Sequence, residues 1–374
     1  MMSKPSLSNG IRVHLTNVTG AGASQLLKSL LPALIRENNI HISEIYLPDI
    51  GQLSHFSSTS RNVVLRRYKR YMPKVISRFL ECTFLAYKFN GDSPLLVLGD
   101  IPLRVRSPQI LFLQSPHLTR PAGSKLKLSE LKYVVARFIF RFNMNRVDAF
   151  IVQSKIMRDT LIDTYPSIRE RVHVVSHPVP EWLLACKFQR DPIPLIEERG
   201  LRLIYPSADY PHKNHKILSK IQKTQSVKWP VLELKLTLNN VINPAPTIPW
   251  VHCVGFLSPS ELIDAYKGVD ALLFLSNKES FGFPLLEAMF LGLPVICPDL
   301  PYAHALCGKG AIYFDPDSIE SLENALNRLK DLLKKGWKPD WNASLSSVPK
   351  SWDSVAASIS RIAINTKKIA GCDE

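Results

Sequence analysis

The sequence predicts an α/β protein built from two Rossmann-like domains, and three observations carry that prediction. The chain has 374 residues, more than one core of roughly 250 to 300 residues accommodates. Two series of short apolar, strand-like segments alternate with helical patterns, as in parallel sheets covered by helices. Between the two series, from about 176 to 200, lies the proline-rich stretch HPVPEWLLACKFQRDPIPLIEERG, which has no sustained period and reads as a linker. The expected organisation is a first domain over 1–178, a linker over 179–200, a second domain over 201–348, and a closing segment over 349–374 that could cross back to the first domain.

In the first series, IRVHLT (11–16) is strand-like, NVTGAGAS is a glycine-bearing turn, and QLLKSLLPALIREN repeats its apolar positions at helical spacing. ISEIYL, PLLVLGD, QILFLQ, DAFIVQS and RVHVVS are further strands, with helices expected around 72–89 and 127–143. In the second, LRLIYPS, VLELKLTL, WVHCVGF, DALLFLS, LPVICPD and AIYFDP are the strands. Helices follow HKNH and start at Pro259 and Pro284. SIESLENALNRLKDLLKKG is an amphipathic helix with a lysine and glycine stop, and SWDSVAASISRIAI a shorter one.

The composition is that of an ordinary globular protein, 45% hydrophobic and 21% charged. With 47 Lys+Arg against 32 Asp+Glu, the net charge of +15 points to an anionic partner. No recognition module or aromatic motif for nucleic acid accompanies it, so nucleic acid is not the expected partner. Six scattered cysteines without a CxxC pair suggest reduced thiols and no zinc site. The first ten residues lack the apolar core of a signal peptide, and no apolar run approaches the ~18 residues of a membrane span. A cytoplasmic protein is expected.

The chemistry concentrates in DALLFLSNKESFGFPLLEAMFLGLPVICPD (270–299), a buried-type strand, a polar loop, a helix and another strand. In open sheets of this kind ligands bind at the carboxyl ends of strands. Glu279 falls in the loop and Glu287 in the expected first turn of the helix, with seven residues between them. Pro284 suits the first helical position, Phe283 before it is a poor cap, and Gly282 lets backbone approach a ligand. A phosphate could therefore occupy the uncapped helix start. An isolated pair of glutamates so spaced is most often one solvated acid and one acid stabilised by the helix dipole. The intervening SFGFPLL and following GLPVI make this pair more specific.

The run ESFGFPLLEAM resembles the E-x7-E signature of glycosyltransferase family 4, the group 1 glycosyltransferases, in the bacterial polysaccharide branch that carries a PHKNH motif. The resemblance is strong from about 201 to 316 and loose before 100. It implies the GT-B fold, two Rossmann-like domains with parallel sheets facing across a cleft. It also implies a retaining transferase that moves a hexose, plausibly mannose, from a GDP- or UDP-sugar to a saccharide or polyprenol-linked saccharide in lipopolysaccharide O-antigen or polysaccharide synthesis. Glu279 would contact the donor sugar and Glu287 the ribose. Ser280, Phe281, Gly282, Phe283, Pro284 and Leu285 would meet the diphosphate and sugar. Lys213, in LIYPSADYPHKNHKIL, resembles the family's diphosphate-binding lysine, where an ammonium stabilises the leaving group.

The same resemblance places Phe256 beside the nucleobase, Gly20 and Gly22 at the donor phosphate, and His117 near the reacting sugar, which makes His117, Lys213 and Glu279 the catalytic candidates. Phe256 could equally be core, the two glycines an ordinary turn, and His117 a structural histidine. The chain departs from the family pattern at Ala208, where an arginine usually stands five residues before the lysine, and at Ala303, His304 and Ala305, where a glutamate is often found. Neither a cofactor nor a metal is implied. Glu279 and Glu287 are not expected to act as a glycosidase pair, which would flank the sugar at about 5 Å. The basic, apolar stretches 61–89 and 125–146 read either as packed helices or as a surface for an anionic membrane at the inner face of the plasma membrane. A nucleotide-sugar epimerase of the same fold and a non-catalytic basic binding protein remain open alternatives.

Overall fold

The computed structural model describes residues 10–18, 20–58, 62–70, 72, 74–119, 133–186, 199–221 and 229–370. The chain divides into two units, Met1–Pro178 with Pro349–Glu374, and Val179–Val348.

Unit 1 holds β1 (Gly10–His14), β2 (His41–Pro48), β3 (Val64–Tyr68), β4 (Leu95–Val97), β5 (Gln109–Phe112), β6 (Ala149–Val152) and β7 (Val172–Val174). Its helices are α1 (Ala21–Arg36), α2 (Lys74–Cys82), α3 (Val134–Asn143) and α4 (Lys155–Thr164). The seven strands run in the order β3-β2-β1-β4-β5-β6-β7, and the pairs are parallel. β4 and β6 are apolar throughout, and β5 is apolar but for Gln109, because both faces of such a sheet are covered. Leu95, Leu96, Ile110, Leu111, Phe150 and Ile151 are fully buried.

Unit 2 holds β8 (Leu201–Tyr205), β9 (Val231–Leu236), β10 (Val251–Cys253), β11 (Ala271–Leu273), β12 (Val295–Pro298) and β13 (Ile312–Phe314). Between and around them lie α5 (Glu181–Leu184), α6 (Lys216–Ile221), α7 (Pro259–Lys267), α8 (Phe283–Phe290), α9 (Pro301–Cys307), α10 (Ile319–Lys334) and α11 (Asn342–Ser346). The strand order is β10-β9-β8-β11-β12-β13, again parallel. At the amino ends of β8 and β11, Asp270 takes both terminal nitrogens of Arg199 at 2.7 and 2.9 Å and the Arg202 N–H at 2.8 Å. This fixes the register of the two strands whose opposite ends carry the candidate site. Gly310 is required by close approach: a Cβ there would lie 2.4 Å from the ring of Trp341, whose indole N–H bonds the Leu293 carbonyl at 3.0 Å.

The last helix, α12 (Trp352–Ala370), belongs to unit 1. It packs on α1, with an Arg36–Asp353 ion pair at 2.9 Å and Trp352 stacked on His177 at 5.4 Å.

Several elements differ from the sequence expectation. α12 spans 19 residues rather than a short stretch, because Thr366 turns inward and bonds the Ile362 carbonyl, so the polar NTKK run continues the helix. β3 was not expected: it is an edge strand, largely exposed, with two arginines where an apolar alternation would have marked it. α2 ends at Cys82 and a separate 3₁₀ turn, Ala86–Phe89, follows, so the expected helix over 72–89 is two pieces. Val179 and Leu183, at the start of the expected linker, are buried in the core of unit 2. Residues 187–198 of that linker lie outside the described residues, as do 1–9, on which the reading of the amino terminus rests, and 125–132 of the second basic stretch. Among the described residues no helix is long and apolar enough to cross a membrane.

Candidate functional site

In unit 2 the strand order reverses between β8 and β11, which lie side by side although the chain leaves β8 to form β9 and β10 first. The carboxyl ends of two such strands splay their connections apart and leave a crevice for a ligand. The loops after β8 and β11 carry Lys213 and Glu279.

The β8 side is built from the strand outward. Tyr205, the last residue of β8 and fully buried, donates its hydroxyl to the Lys213 carbonyl at 2.9 Å and so anchors the 3₁₀ turn Pro211–Lys213. Asn214 closes that turn in the left-handed region, with φ 55°, a conformation asparagine tolerates. Ser207 bonds Thr237 through its N–H and carbonyl, and its hydroxyl meets His215 Nε2 at 2.8 Å. Burial pulls His215 down to about 4, so its ring is neutral near pH 7.

The β11 side locks onto this turn. The His212 carbonyl accepts from the Asn277 N–H at 2.7 Å and from the Ser276 hydroxyl at 3.2 Å, while Tyr302 donates to the Ser276 carbonyl. The Lys213 ammonium therefore reaches Glu279 Oε1 at 2.5 Å, and stands 5.7 Å above the Phe274 ring. Both side chains of the pair keep a partial exposure, 15% and 12%. They are available to a ligand rather than sealed in the core.

The helix behind them starts one residue earlier than expected. Gly282, at φ 97° and ψ 59°, is the N-cap of α8, Phe283 is the first helical residue and Pro284 the second. The reason is the left-handed glycine, which turns the chain sharply enough for Phe283 to enter helical geometry. Phe281 is buried and packs edge-on against Phe283 at 5.4 Å. As N-cap, Gly282 has no side chain with which to cap this helix, and the helix's positive end faces the loop that carries Ser280 and Glu279. Leu285 is core and cannot touch a ligand with its side chain.

Glu287 is consequently in the second turn, not the first, since no acid occupies the first turn of α8. It is 7% exposed and accepts from the buried Tyr266 hydroxyl at 2.8 Å. Burial pushes its carboxyl up to about 7, against the opposing pull of the Tyr266 bond. A buried acid whose carboxyl is raised toward neutral pH can accept hydrogen bonds from ligand hydroxyls once a ligand supplies them. Tyr205, Tyr266 and Tyr302 hold this constellation, and sequence reasoning missed all three because each reads as strand or helix core. Phe256 follows Gly255, at φ 78°, and is 68% exposed, so it is not a core residue.

The remaining candidates, Gly20, Gly22 and His117, belong to unit 1. Gly20 is the N-cap of α1 with an extended φ of −76°, and Gly22 is already inside that helix rather than in the turn before it. A Cβ on Gly22 would meet nothing within 4 Å, so neither fold nor packing demands glycine there. His117 sits in the 3₁₀ turn Pro116–Leu118 after β5, half-buried, with its ring flat against Tyr133 at 4.3 Å.

Unit 1 has a polar centre that the sequence did not reveal. Its strand order reverses between β1 and β4, and at that point Glu81, fully buried, meets His14 Nε2 at 3.0 Å and Arg70 at 2.9 Å. Thr16 also donates to Glu81, and Arg70 to Asn17. Burial pushes Glu81 up, but donors from His14 and Thr16, with Arg78 nearby, hold it down at about 2. An ionised carboxylate kept at the switch point of a parallel sheet is costly to bury and marks a candidate binding centre.

Residues 241–336 match the family model of glycosyl transferases group 1. The O-antigen chain mannosyltransferase RfbU of Salmonella typhimurium is 25% identical over 213 residues, 54% of this chain and 57% of that protein, so the chain spans about half the length of this curated relative. The solved structure of WaaG, a glycosyltransferase involved in lipopolysaccharide biosynthesis, superposes with a TM-score of 0.58 at 13% identity, covering 96% of this chain and 99% of that one. HepE from Anabaena in complex with UDP-glucose gives a TM-score of 0.57 at 13% identity, covering 97% and 99%. The fold of the chain is GT-B, and residues 241–336 of its second unit match the group 1 glycosyltransferases.

Proposed function

We propose that the chain is a retaining glycosyltransferase that moves a hexose, mannose in the first instance, from a nucleoside-diphosphate sugar to a saccharide or lipid-linked saccharide in O-antigen or related polysaccharide synthesis. The observation that carries the reading is the Lys213–Glu279 pair at the switch point of unit 2, directly before a helix that starts at left-handed Gly282 and carries Glu287. The similarity to RfbU supports mannose and O-antigen, and the UDP-glucose held by HepE supports a nucleotide-sugar donor.

In this reading the donor diphosphate lies against the α8 start, where Gly282 admits backbone and the helix dipole favours negative charge. Lys213 leaves Glu279 to meet the phosphate, and Glu279 turns to a hydroxyl of the sugar. Glu287 accepts from the ribose hydroxyls and Phe256 covers the base. As the glycosidic bond breaks, the electron pair departs with the nucleoside diphosphate, whose charge Lys213 and the helix start stabilise. The acceptor hydroxyl attacks from the same face and a donor phosphate oxygen takes its proton. The charge is met by these groups, so the reaction is proposed to need no metal. Unit 1 is proposed to bind the acceptor, with its own switch-point network around Glu81 as the acceptor centre and His117 as its catalytic candidate.

The test is nucleoside diphosphate release from UDP-, GDP-, ADP- and dTDP-hexoses, with and without saccharide acceptors, and the anomeric configuration of any product by NMR. Acceptor-dependent release with the anomer preserved supports the reading. Conversion of the sugar without any acceptor would identify an epimerase instead, and inversion would remove the same-face mechanism.

A further inference from the structure

Among the described residues only two other than glycine hold a positive φ, Asn214 at 55° and Asp100 at 67°. Asn214 closes the turn that carries Lys213, at the switch point of unit 2. Asp100 stands at the switch point of unit 1, just past the carboxyl end of β4, which pairs with β1. A left-handed aspartate is kept only where the surrounding structure meets its cost, and such residues gather at functional sites. The surroundings here are specific. The Leu98 N–H bonds the His14 carbonyl at 3.0 Å, Arg78 donates to the Gly99 carbonyl, and a Cβ on Gly99 would lie 3.3 Å from Asn17 Cβ. The network around Glu81 therefore adjoins the Asp100 backbone.

The two oxygens of the Asp100 carboxylate do different things. Oδ1 accepts the Gln114 and Ser115 N–H groups at 2.5 and 2.9 Å. Gln114 Nε2 returns to the Leu98 carbonyl at 3.1 Å, so the chain leaving β5 is tied to the chain leaving β4. Ser115 is the N-cap of the turn Pro116–Leu118, its hydroxyl accepting from the His117 N–H at 3.4 Å. Arg137 bonds the His117 carbonyl at 3.0 Å and Tyr165 the Leu118 carbonyl at 3.1 Å. Asp100 thus forms the base of the turn that carries His117. Oδ2 takes no bond from the described residues and is not sealed in the core, since Asp100 keeps a partial exposure. A structural clamp needs only Oδ1, which an asparagine would supply without a charge. The second oxygen, fixed in place by the first and open to a ligand, is an acceptor for a hydroxyl group.

We propose that Asp100 binds and positions the acceptor sugar: Oδ1 fixes the turn of His117, and Oδ2 accepts from an acceptor hydroxyl next to the one that attacks. The attacking hydroxyl still passes its proton to the donor phosphate, so Asp100 remains a carboxylate throughout. The assignment rests on the transferase reading and deepens it, because it selects acceptors with a free hydroxyl beside the linkage position and rejects those deoxygenated there.

The test compares the native chain with Asp100→Asn, Asp100→Gly and His117→Ala, each checked for intact fold by circular dichroism. Asparagine and glycine both admit the left-handed backbone. Nucleoside diphosphate release is followed from UDP-, GDP-, ADP- and dTDP-hexoses, alone and with methyl α-mannoside or its monodeoxy analogues as acceptor. Loss of one hydroxyl beside the attacking one should cost the native chain roughly 10- to 100-fold in kcat/KM, the worth of a hydrogen bond to a charged group. Asp100→Asn should lose as much with the intact mannoside and should no longer distinguish that deoxy analogue, a levelling that a merely structural role would not produce. Its donor affinity, measured by calorimetry, should stay native. Asp100→Gly, which also frees the Gln114 and Ser115 N–H groups, should lower kcat further, toward the level of His117→Ala. Native discrimination by Asp100→Asn, an unchanged kcat/KM, or no acceleration of the native chain by any of these sugars would overturn the proposal and leave donor turnover standing. Release from no donor by the native chain would remove the transferase reading, and the proposal with it.

Discussion

Replacing Glu287 by glutamine separates the cost of burying this acid from its use. Its carboxyl stands at about 7 against an ordinary 4.5, because burial outweighs the single bond from Tyr266. A carboxyl raised in the fold stabilises it in the protonated form: the contribution is complete below about 4.5 and is lost as the pH rises through about 7. A shift of that size corresponds to about 3 kcal/mol between the two protonation states. At pH 8 the native chain carries nearly the whole of that cost, and at pH 5 less than about 1 kcal/mol. Glutamine has nearly the same shape, can still accept from Tyr266, and does not ionise. Glu287→Gln should therefore be more stable than the native chain by roughly 2 to 3 kcal/mol at pH 8 and close to it at pH 5.

Urea unfolding followed by tryptophan fluorescence at the two pH values measures this difference in the right place, since five of the six tryptophans lie in unit 2. Other buried groups titrate as well, among them His215 and His177, pulled down to about 4 and about 3 by burial. These act equally in both proteins and cancel in the comparison. The gain in stability should come with a loss of function: hydroxyls donated by a ribose favour the ionised carboxylate, so native donor affinity should rise with pH through about 7 and that of the variant should not. A stability gap that is the same at pH 5 and pH 8 would refute the account of Glu287.

Lys213→Ala should lower turnover by roughly 10²- to 10³-fold while circular dichroism stays native, and steady-state kinetics checks it. Gly282→Ala should cost roughly 1 to 2 kcal/mol because the backbone there is left-handed, and the added Cβ lies 3.2 Å from Leu285 Cδ1; denaturant unfolding and nucleotide binding should fall together. Phe256→Ala should leave stability within about 0.5 kcal/mol, since the ring is largely exposed, but weaken nucleoside diphosphate binding measured by calorimetry. Glu81→Gln should destabilise unit 1 by roughly 3 kcal/mol near pH 7 by leaving Arg70, whose side chain is only 10% exposed, without its carboxylate partner; the gap should close as the pH falls from 4.5 through about 2, because the native carboxylate loses its charge there, and acid unfolding monitors it.

The second unit was legible because its signals are local. DALLFLS and LPVICPD are continuous apolar runs of the kind a doubly covered sheet requires, and Pro259 and Pro284 mark helix starts within one residue of the true ones. What the sequence could not supply is set by residues distant along the chain. The protonation of Glu287 is set by its burial, with Tyr266 opposing it, and the lysine of the site is held by Tyr205 from beneath and by Ser276 and Asn277 from the next loop. The Glu81 network joins β1, the loop after it, Arg70 and α2, none of which carries a motif alone. β3 escaped because an edge strand need not alternate.

The central claim is that unit 2 binds a nucleoside-diphosphate sugar through Lys213, the α8 start and Glu287. Calorimetric titration of UDP-, GDP-, ADP- and dTDP-hexoses into the native chain, Lys213→Ala and Glu287→Ala tests it directly. The account predicts selective binding of at least one donor by the native chain, weakened by both substitutions without loss of fold. Binding to none of the donors, or binding indifferent to both substitutions, would contradict it.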